Sequence, residues 1–260
     1  MDAGHLIQTA GKIPVISHAL RWYAGRYPED SVVKIKHGCA AGSAWRRHHR
    51  YVNGYWIGHY ELPLQQALTN ELKPGQTFFD IGANAGFFTL VAARRVGSSG
   101  RCVAFDPSPD NAASIREQLE ANALDHCRVV EEAISEVSGT ALFSFATPGS
   151  PTGHLGTPNY REQRIEVKVT TLDLACARFG KPDLIKMDIE GGEINAFKSA
   201  GRTLSETRPG WLIELHGAEC EREVKRALQT ADYEFFDLRG GALNGRDLLP
   251  GHFIARPAPR

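Results

Sequence analysis

The sequence predicts an α/β domain in which a mostly parallel sheet carries helices on both faces. From Gln76 onward, short apolar strands alternate with longer helical segments, which is the pattern of a parallel sheet built from strand–helix–strand units. A glycine-rich turn joins the first of these strands to the first helix. The chain of 260 residues is long enough for one such domain with an appended segment.

The composition is ordinary for a folded protein, and no charge dominates. Hydrophobic residues make up 42% of the chain and charged residues 23%, and 30 basic residues balance 30 acidic ones. No global electrostatic field therefore attracts the chain to nucleic acid or to a membrane. We expect neither as a partner, and a homodimer is compatible with the sequence.

The cysteines and the N-terminus favour a cytoplasmic location. The five cysteines are odd in number and widely spaced, and no C-x-x-C pair occurs. Reduced thiols fit this pattern better than a disulfide framework or a zinc site. The N-terminus lacks a signal-peptide layout, and no apolar run approaches the roughly 20 residues of a membrane helix.

The chain divides into a predicted N-terminal helical and aromatic cap, residues 1–70, and a main domain, residues 71–260, with an insertion at 135–172. The elements predicted in the cap are one or two short helices within Leu6–Tyr27, a strand at Ser31–Lys36 and a helix at Glu61–Leu72.

An aromatic and basic stretch of the cap is the only local basic patch. Its candidate acceptor-binding residues are Trp45, Arg46, Arg47, Tyr55 and Trp56. A stretch in which aromatic and basic side chains alternate can bind a sugar, a phosphorylated acceptor or a nucleic-acid backbone. The alternative is a cap that packs its aromatic rings on the main domain and leaves its arginines in water.

Seven strands and four helices are predicted in the main domain. The strands are Thr77–Ile81, Arg101–Phe105, Cys127–Ile134, Leu184–Met187, Gly210–Leu215, Tyr233–Leu238 and His252–Ala255. The helices are Phe87–Val96, Pro109–Asn122 (with Asn111, Ser114 and Glu117 facing outward), Gly192–Leu204 and Glu219–Ala231. The insertion is a predicted hairpin of Thr140–Phe145 and Arg164–Thr171, and His154 in its loop is a further candidate acceptor contact.

The strongest motif is the strand–turn–helix segment from Phe78 to Phe87. Gly82 permits a tight turn against which a ligand can lie, and Gly86 lets the helix start close to the sheet. The spacing is G-x-x-x-G rather than the dinucleotide pattern G-x-G-x-x-G. Asp80 would repel a pyrophosphate but attract an α-ammonium group, which favours S-adenosylmethionine over NAD. The predicted cofactor-binding residues here are Asp80, Gly82, Ala83, Asn84, Gly86 and Phe87.

The ends of the next two strands extend this cofactor site. Asp106, 20 residues beyond Gly86, can accept both hydrogen bonds of a ribose diol, and Pro107 follows it into the turn. A helix-capping role is the alternative for Asp106. Glu132 could approach an adenine amine, and a solvent-facing carboxylate is the alternative reading of this residue.

A candidate reaction centre follows two further strands. Asp188 and Glu190 follow one strand, and Glu214 and His216 share a face at the end of the next. We predict His216 as the general base, oriented by Glu214 or Asp188, and we also assign Asp188 to the cofactor site. Capping and a solvated helix start are the alternatives for His216 and Glu190. Asp188, Glu214 and His216 could bind a divalent cation, but no dense ligand cluster forces one, and we predict no metal.

Seven segments occur in a fixed order over roughly residues 58–256. They are Gly58–Glu61, Phe79–Gly86, Ala104–Pro107, Ala133 with Gly139, Thr171–Asp173, Asp183–Gly191 and Ile213–His216. In this order they resemble the FkbM family of methyltransferases. The resemblance implies a Rossmann-like class I methyltransferase fold, S-adenosylmethionine as donor, and usually O-methylation of hydroxyls in polyketides, sugars and other secondary metabolites or glycans. The family often has Glu at the position of Asp106, but the shorter carboxylate can still reach a ribose.

The sequence therefore predicts an S-adenosylmethionine-dependent O-methyltransferase acting on a hydroxyl of a small molecule or glycan. An RNA or protein methyltransferase is the second hypothesis, which the neutral net charge and the absence of an N-P-P-Y motif after Met187 disfavour. A non-catalytic cofactor-binding scaffold is the third, and it predicts a damaged glycine loop that this chain does not have. The glycine spacing and Asp80 disfavour an NAD oxidoreductase.

Overall fold

The computed structural model is organised around a seven-stranded sheet. It describes residues 28–51, 54–147, 153–155, 163–243 and 251–259, so the helices predicted within Leu6–Tyr27 lie outside the described residues. The strands are β1 (Val32–Lys34), β2 (Ala44–Arg46), β3 (Thr77–Ile81), β4 (Arg101–Phe105), β5 (Cys127–Val130), β6 (Ala133–Ile134), β7 (Gly139–Phe145), β8 (His154–Leu155), β9 (Gln163–Thr170), β10 (Leu184–Met187), β11 (Gly210–Glu214), β12 (Tyr233–Phe236) and β13 (His252–Pro257). The α-helices are α1 (Leu62–Glu71), α2 (Phe87–Val96), α3 (Pro109–Ala121), α4 (Leu172–Phe179), α5 (Glu193–Lys198) and α6 (Ala218–Thr230).

The large sheet has the strand order β12-β13-β11-β10-β3-β4-β5. Neighbouring strands are parallel from β11 to β5, whereas β13 runs antiparallel to both β11 and β12. The predicted α/β fold with a mostly parallel seven-stranded sheet is confirmed. Its carboxyl edge lies at the ends of β3, β4, β5, β10 and β11, which is where open α/β sheets bind ligands.

Alternating strand residues bury two hydrophobic layers, one on each face of the sheet. Phe79 and Ile185 belong to a core with residues of α4, α5 and α6. Phe78 and Leu212 belong to a second core with residues of α1 and α2. The alternation follows from the two-residue period of a strand, and it confirms the predicted helices on both faces. No helix in the described part of the chain combines the length and apolarity that crossing a membrane requires.

The predicted strand Cys127–Ile134 is wrong as one element. β5 pairs with β4 in the large sheet as far as Val130, and β6 then pairs with β9 in a separate four-stranded sheet of order β6-β9-β7-β8. The two residues between the strands, Glu131 and Glu132, are drawn outward to Arg116 and Arg178. The hairpin of β7 and β9 is confirmed, and we call the four-stranded sheet the insertion sheet.

The predicted helix Gly192–Leu204 is also shorter than expected. α5 ends at Lys198, and a π-helical turn occupies Thr203–Thr207. The break arises because the Ser199 hydroxyl donates to the carbonyl of Ala196, while Asp173 accepts from the backbone of Arg202 and Thr203. Asp173 lies in α4, a helix that the sequence reading did not predict.

The cap packs on α3 through side-chain amides. Gln118 bonds both the N–H and the carbonyl of Arg46, and Asn122 does the same for Ala44. The predicted outward orientation of Asn111 and Ser114 is wrong, because both are buried beneath the cap. The cap therefore shares a core with the main domain.

Candidate active site

A cavity of about 340 Å³ opens at the carboxyl edge of the large sheet. Its volume is in the range of pockets that bind small molecules. Three parts of the chain line it: the loops after the sheet strands, the cap, and the insertion sheet. The residues contributed by the cap are Tyr55, Tyr60 and Glu61, and those contributed by β7, β8 and the adjoining loop are Phe143, Gly153, His154 and Leu155.

The glycine loop forms the floor of this cavity. Gly82 has a φ of +79°, and a Cβ there would collide with the carbonyl oxygen of Asp188, so only glycine allows the two loops to approach so closely. Gly82, Ala83, Asn84 and Phe87 line the cavity as predicted. Gly86 does not line it, because this residue caps α2 and lies against Ile115.

Asp80 does not line the cavity, which corrects its predicted contact with a cofactor ammonium group. Its side chain is fully buried, accepts a hydrogen bond from Thr89 at 2.6 Å, and lies 3.7 Å from Lys186 Nζ. Burial raises the pKa of Asp80, and Lys186 opposes that shift. Successive side chains of a strand point to opposite faces of the sheet. The side chain of Asp80 points to the face covered by α2, where it contacts Thr89, and not into the cavity.

Lys186, on strand β10, holds the glycine loop (Gly82–Gly86) against that strand. Its ammonium donates to the carbonyl of Gly82 at 3.0 Å and lies 3.6 Å from Asp188 Oδ2. Burial opposes ionisation, but Asp188 and Asp80 outweigh it and raise the pKa of Lys186. The sequence reading did not single out this residue, although it lies within a segment that carries the family resemblance.

Asp106, directly after strand β4, anchors the glycine loop. It accepts hydrogen bonds from the N–H of Asn84, the N–H of Ser108 and the side-chain amide of Asn111. Burial raises the pKa of Asp106 to about 6. Asp106 and Pro107 both line the cavity.

Glu132 lines the cavity, but Arg178 already holds its carboxylate. Arg178 donates to the two Glu132 oxygens at 2.7 and 3.1 Å. This bidentate pair occupies the group that was predicted to meet an adenine amine, so the geometry does not favour that contact.

Four carboxylates form one wall of the cavity, which we call the acidic wall: Glu61, Asp188, Glu190 and Glu214. Glu190 has a left-handed φ of +53°, a conformation that costs a non-glycine residue about 1–3 kcal/mol and is often found at functional sites. Burial raises the pKa of Glu190 and that of Glu61. The pKa of Glu214 is lowered because His252 Nε2 lies 3.2 Å from its Oε2.

His216 lies behind the acidic wall and does not line the cavity, which corrects its predicted role as the base. Its Nδ1 donates to Glu193 Oε1 at 3.0 Å, and its Nε2 lies 3.5 Å from Glu190 and 3.9 Å from Asp188. The hydrogen bond to Glu193 is the main cause that raises the pKa of His216 to about 9. At neutral pH the imidazole is therefore protonated and cannot accept a proton.

Of the cap residues predicted to contact the acceptor, one lines the cavity and four do not. Tyr55 lines the cavity and stacks on Phe87 at a centroid distance of 5.4 Å. Trp45 is buried in the core, and the guanidinium of Arg47 stacks on Trp56 at 4.9 Å. The residues that do not line the cavity are Trp45, Arg46, Arg47 and Trp56. His154 lines it from β8, as its predicted role requires.

Two groups of residues in the described ranges bring three candidate metal ligands together. Asp188, Glu214 and His216 have ligand atoms within 4.8 Å of one another, and Glu29, Asp30 and His48 form the second group away from the cavity. In the first group, Lys186 and His252 already neutralise part of the carboxylate charge. The predicted absence of a metal stays a prediction.

Several site residues were missed by the sequence reading. Tyr60, Glu61 and Lys186 lie inside segments that carry the family resemblance, so those segments were the available signal. Glu193 ends the segment predicted as the reaction centre, where a solvated helix start was its alternative reading, and His252 offered no signal. The roles of both residues depend on tertiary pairing. His252 faces Glu214 only through the antiparallel register of β13 with β11.

Comparisons with known proteins find relatives among methyltransferases. Curated relatives include 2-O-methyltransferase NoeI of Sinorhizobium fredii (strain NBRC 101917 / NGR234), 32% identical over 158 residues, which are 52% of this chain and 62% of that protein. Arsenite methyltransferase of Halobacterium salinarum is 27% identical over 85 residues, 29% of this chain and 22% of that protein. Protein-L-isoaspartate O-methyltransferase 1 of Arabidopsis thaliana is 34% identical over 65 residues, 25% of this chain and 28% of that protein. The chain thus spans less than two thirds of each of these relatives.

Among solved structures, methyltransferase FkbM from Methylobacillus flagellatus KT aligns with a TM-score of 0.49 and 16% identity, over 76% of this chain and 59% of that one. The sequence profile of the Methyltransferase FkbM domain matches residues 80–239, which is more than half of the chain. The chain therefore belongs to the FkbM family of methyltransferases.

Proposed function

We propose that this protein is an S-adenosylmethionine-dependent O-methyltransferase that acts on a hydroxyl group of a small molecule or glycan. The observation that carries the proposal is that one cavity is lined by both the glycine loop with Asp106 and the acidic wall. A donor and an acceptor bound in that cavity would lie side by side, which is what methyl transfer requires.

The residues present fit S-adenosylmethionine even though Asp80 is not among them. Gly82 lets the loop pack closely on Asp188 while Ala83 and Asn84 line the cavity, Asp106 supplies a buried carboxylate that would accept from a ribose hydroxyl, and Tyr55 with Phe87 offers aromatic surface. The residues that would hold the cofactor are Gly82, Ala83, Asn84, Phe87, Asp106 and Pro107. When bound, S-adenosylmethionine supplies an electrophilic methyl group carried on a sulfonium.

We assign Glu190 as the general base that accepts the proton of the acceptor hydroxyl. Methyl transfer from a bound donor to a hydroxyl would release the hydroxyl proton, so a side chain of the site would have to accept it. Glu190 lines the cavity, and burial moves its pKa upward toward neutrality, where a general base is most effective. The protonated His216 beside it positions the carboxylate rather than accepting the proton.

One relative, described as a 2-O-methyltransferase, supports methyl transfer to oxygen. The relative described as a protein-L-isoaspartate O-methyltransferase also supports transfer to oxygen, but not to a hydroxyl, since isoaspartate offers carboxylate oxygens. The chain carries no net charge, so it has no overall electrostatic attraction for nucleic acid. This favours a small molecule or glycan over RNA as the acceptor. A cytoplasmic location and a homodimer remain predictions from the sequence.

Calorimetry and methyl transfer test the proposal together. The protein should bind S-adenosylmethionine and S-adenosylhomocysteine but not NADH, and Asp106→Ala should weaken that binding at least tenfold. Glu131→Gln is the control, because Glu131 pairs with Arg116 at the surface and does not line the cavity. Binding of NADH instead would contradict the cofactor assignment.

Variants at Glu190 and His216 separate the two candidate roles. With an acceptor in hand, Glu190→Gln should lower kcat by roughly 10²–10⁴, because the proton loses its acceptor. His216→Asn should lower kcat less and should shift the acid limb of the pH profile, since it removes a positive charge beside Glu190. Equal activity of Glu190→Gln and the unmodified protein would remove Glu190 from the role of base.

A further inference from the structure

The acceptor side of the cavity carries an excess of negative charge. The acidic wall brings Glu61, Asp188, Glu190 and Glu214 to one surface. Asp80 and Glu193 lie just behind it. Six carboxylates are thus gathered around three basic side chains, Lys186, His216 and His252.

The three basic groups are already engaged by the protein. Lys186 Nζ donates to the Gly82 carbonyl and lies between Asp80 and Asp188. His216 is turned to Glu193, and His252 lies between Glu214 at 3.2 Å and Glu61 at 3.7 Å. These groups balance part of the acidic wall from behind, and neither histidine lines the cavity.

The carboxylates of the acidic wall influence one another's pKa. Burial is the main cause that raises the pKa of Glu61 and of Glu190. His252 and Lys186 lower the pKa of Glu61, and His216 lowers that of Glu190, whereas the charges of Asp188 and Glu214 raise both. The carboxylates of the acidic wall are therefore close enough to interact with one another.

The basic patch of the cap does not offset this charge. Arg46 donates to the carbonyl of Asp30, Arg47 stacks on Trp56, and Arg50 donates to the carbonyl of Asp110. Of the cavity-lining residues that the structure describes, Lys186 and His154 alone are basic in type. A phosphate or carboxylate on an acceptor would thus meet carboxylates rather than guanidinium groups.

We infer that the acceptor is a neutral or cationic hydroxyl compound and that the acidic wall excludes acceptors bearing phosphate or carboxylate groups. The inference rests on the proposed function. Hydroxyl and ammonium groups donate hydrogen bonds to carboxylates, and an ammonium also gains Coulomb attraction. An anion is repelled by the acidic wall, and Lys186, the buried cation among the described lining residues, is already engaged by Gly82, Asp80 and Asp188.

Matched acceptor sets test this charge preference. Methyl transfer from labelled S-adenosylmethionine is measured with glucose, glucosamine and glucose phosphate, and with catechol, dopamine and dihydroxybenzoate. Within a set, the neutral or cationic member should be methylated at least tenfold faster, by kcat/KM, than the anionic member. A faster anionic member in the set that reacts would overturn the inference and leave the proposed function standing. No transfer to any compound by protein that binds the donor would overturn both.

A charge-neutralising variant shows whether the acidic wall causes the preference. Glu61→Gln keeps the side-chain shape and should narrow the discrimination against the anionic member by roughly fivefold, the contribution of one charge across a partly solvated cavity. Glu234→Gln is the matched control, because Glu234 is exposed on β12 and does not line the cavity. The same change of discrimination in both variants, or none in Glu61→Gln, would remove the acidic wall as its cause.

Discussion

The pairing of His216 with Glu193 decides what several neighbouring residues can do. Glu193 is fully buried and accepts hydrogen bonds from the N–H of Ile189 and from His216, while Cys220 donates to its other oxygen. Burial alone would raise the pKa of Glu193, but the hydrogen bond from His216 brings it below its usual value. The pair thereby ties the end of β11 to the loop that carries Asp188 and Glu190.

This pair predicts a pH-dependent contribution to stability. The pKa of His216 is about 9 in the folded protein and 6.5 in the unfolded chain, so the contribution to stability is fully present below pH 6.5 and is lost as the pH rises through about 9. His216→Asn should cost roughly 2–3 kcal/mol at pH 6 and much less at pH 9.5. Urea unfolding at the two pH values measures this.

A double-mutant cycle provides the control for that prediction. Glu193→Gln removes the partner of His216, so His216→Asn in that background should lose most of its pH dependence. A pH dependence of the same size with Glu193 replaced would show that another group holds the proton.

Sequence reasoning found the positions of the site residues better than their partners. Asp106, Glu190 and Glu214 lie at strand ends on the cavity wall because the carboxyl edge of a parallel sheet follows from the order of its elements. Asp80 was assigned by charge alone, and the charge it meets comes from Lys186 on an adjacent strand. Such cross-strand partners depend on register, which a single sequence does not specify.

At the level of elements, β2 is held to the main domain by a helix rather than by the large sheet. The amides of Gln118 and Asn122 pair with its backbone as a neighbouring strand would. The sequence reading missed β2 because Ala44–Arg46 runs into a stretch of aromatic and basic side chains, whereas β1, equally short, carries two adjacent valines. Most strands and helices of the main domain were predicted from their periodicity. The exceptions are α4, which was missed, and the segments Cys127–Ile134 and Gly192–Leu204, which tertiary contacts interrupt.

Replacing Gln118 by leucine should loosen the cap. The side chain is buried, and its removal would leave the N–H and carbonyl of Arg46 without these partners, which costs roughly 1–3 kcal/mol per unsatisfied group. Urea unfolding of Gln118→Leu measures the loss. Gln66→Leu on the exposed face of α1 is the control, and it should change stability by less than about 0.5 kcal/mol. Equal stability of the two variants would mean that the amide pairs are not required.

Over the whole molecule, a balanced net charge conceals two separated charge patterns. The 30 basic and 30 acidic residues cancel in sum, yet Arg46 and Arg47 of the cap lie outside the cavity, whereas carboxylates of the main domain and Glu61 of the cap line it. Net charge therefore bears on the long-range attraction of a polyanion such as RNA, whereas the charge of the cavity lining bears on which small acceptor binds. The same cavity draws its lining from the cap, the main domain and the insertion sheet, so a bound ligand connects all three.

That arrangement predicts that the donor stabilises regions far apart in the sequence. A ligand present at 100 times its Kd adds about 2.7 kcal/mol to the folded state, which slows exchange through ligand-releasing openings roughly hundredfold. Hydrogen exchange followed by mass spectrometry should show protection by S-adenosylmethionine in Gly82–Phe88, in the cap around Tyr55–Glu61, and in β7. β12, which lies at the far edge of the large sheet, serves as the internal reference and should gain less. Protection confined to the glycine loop would show that the cap and the insertion sheet border the cavity without taking part in binding.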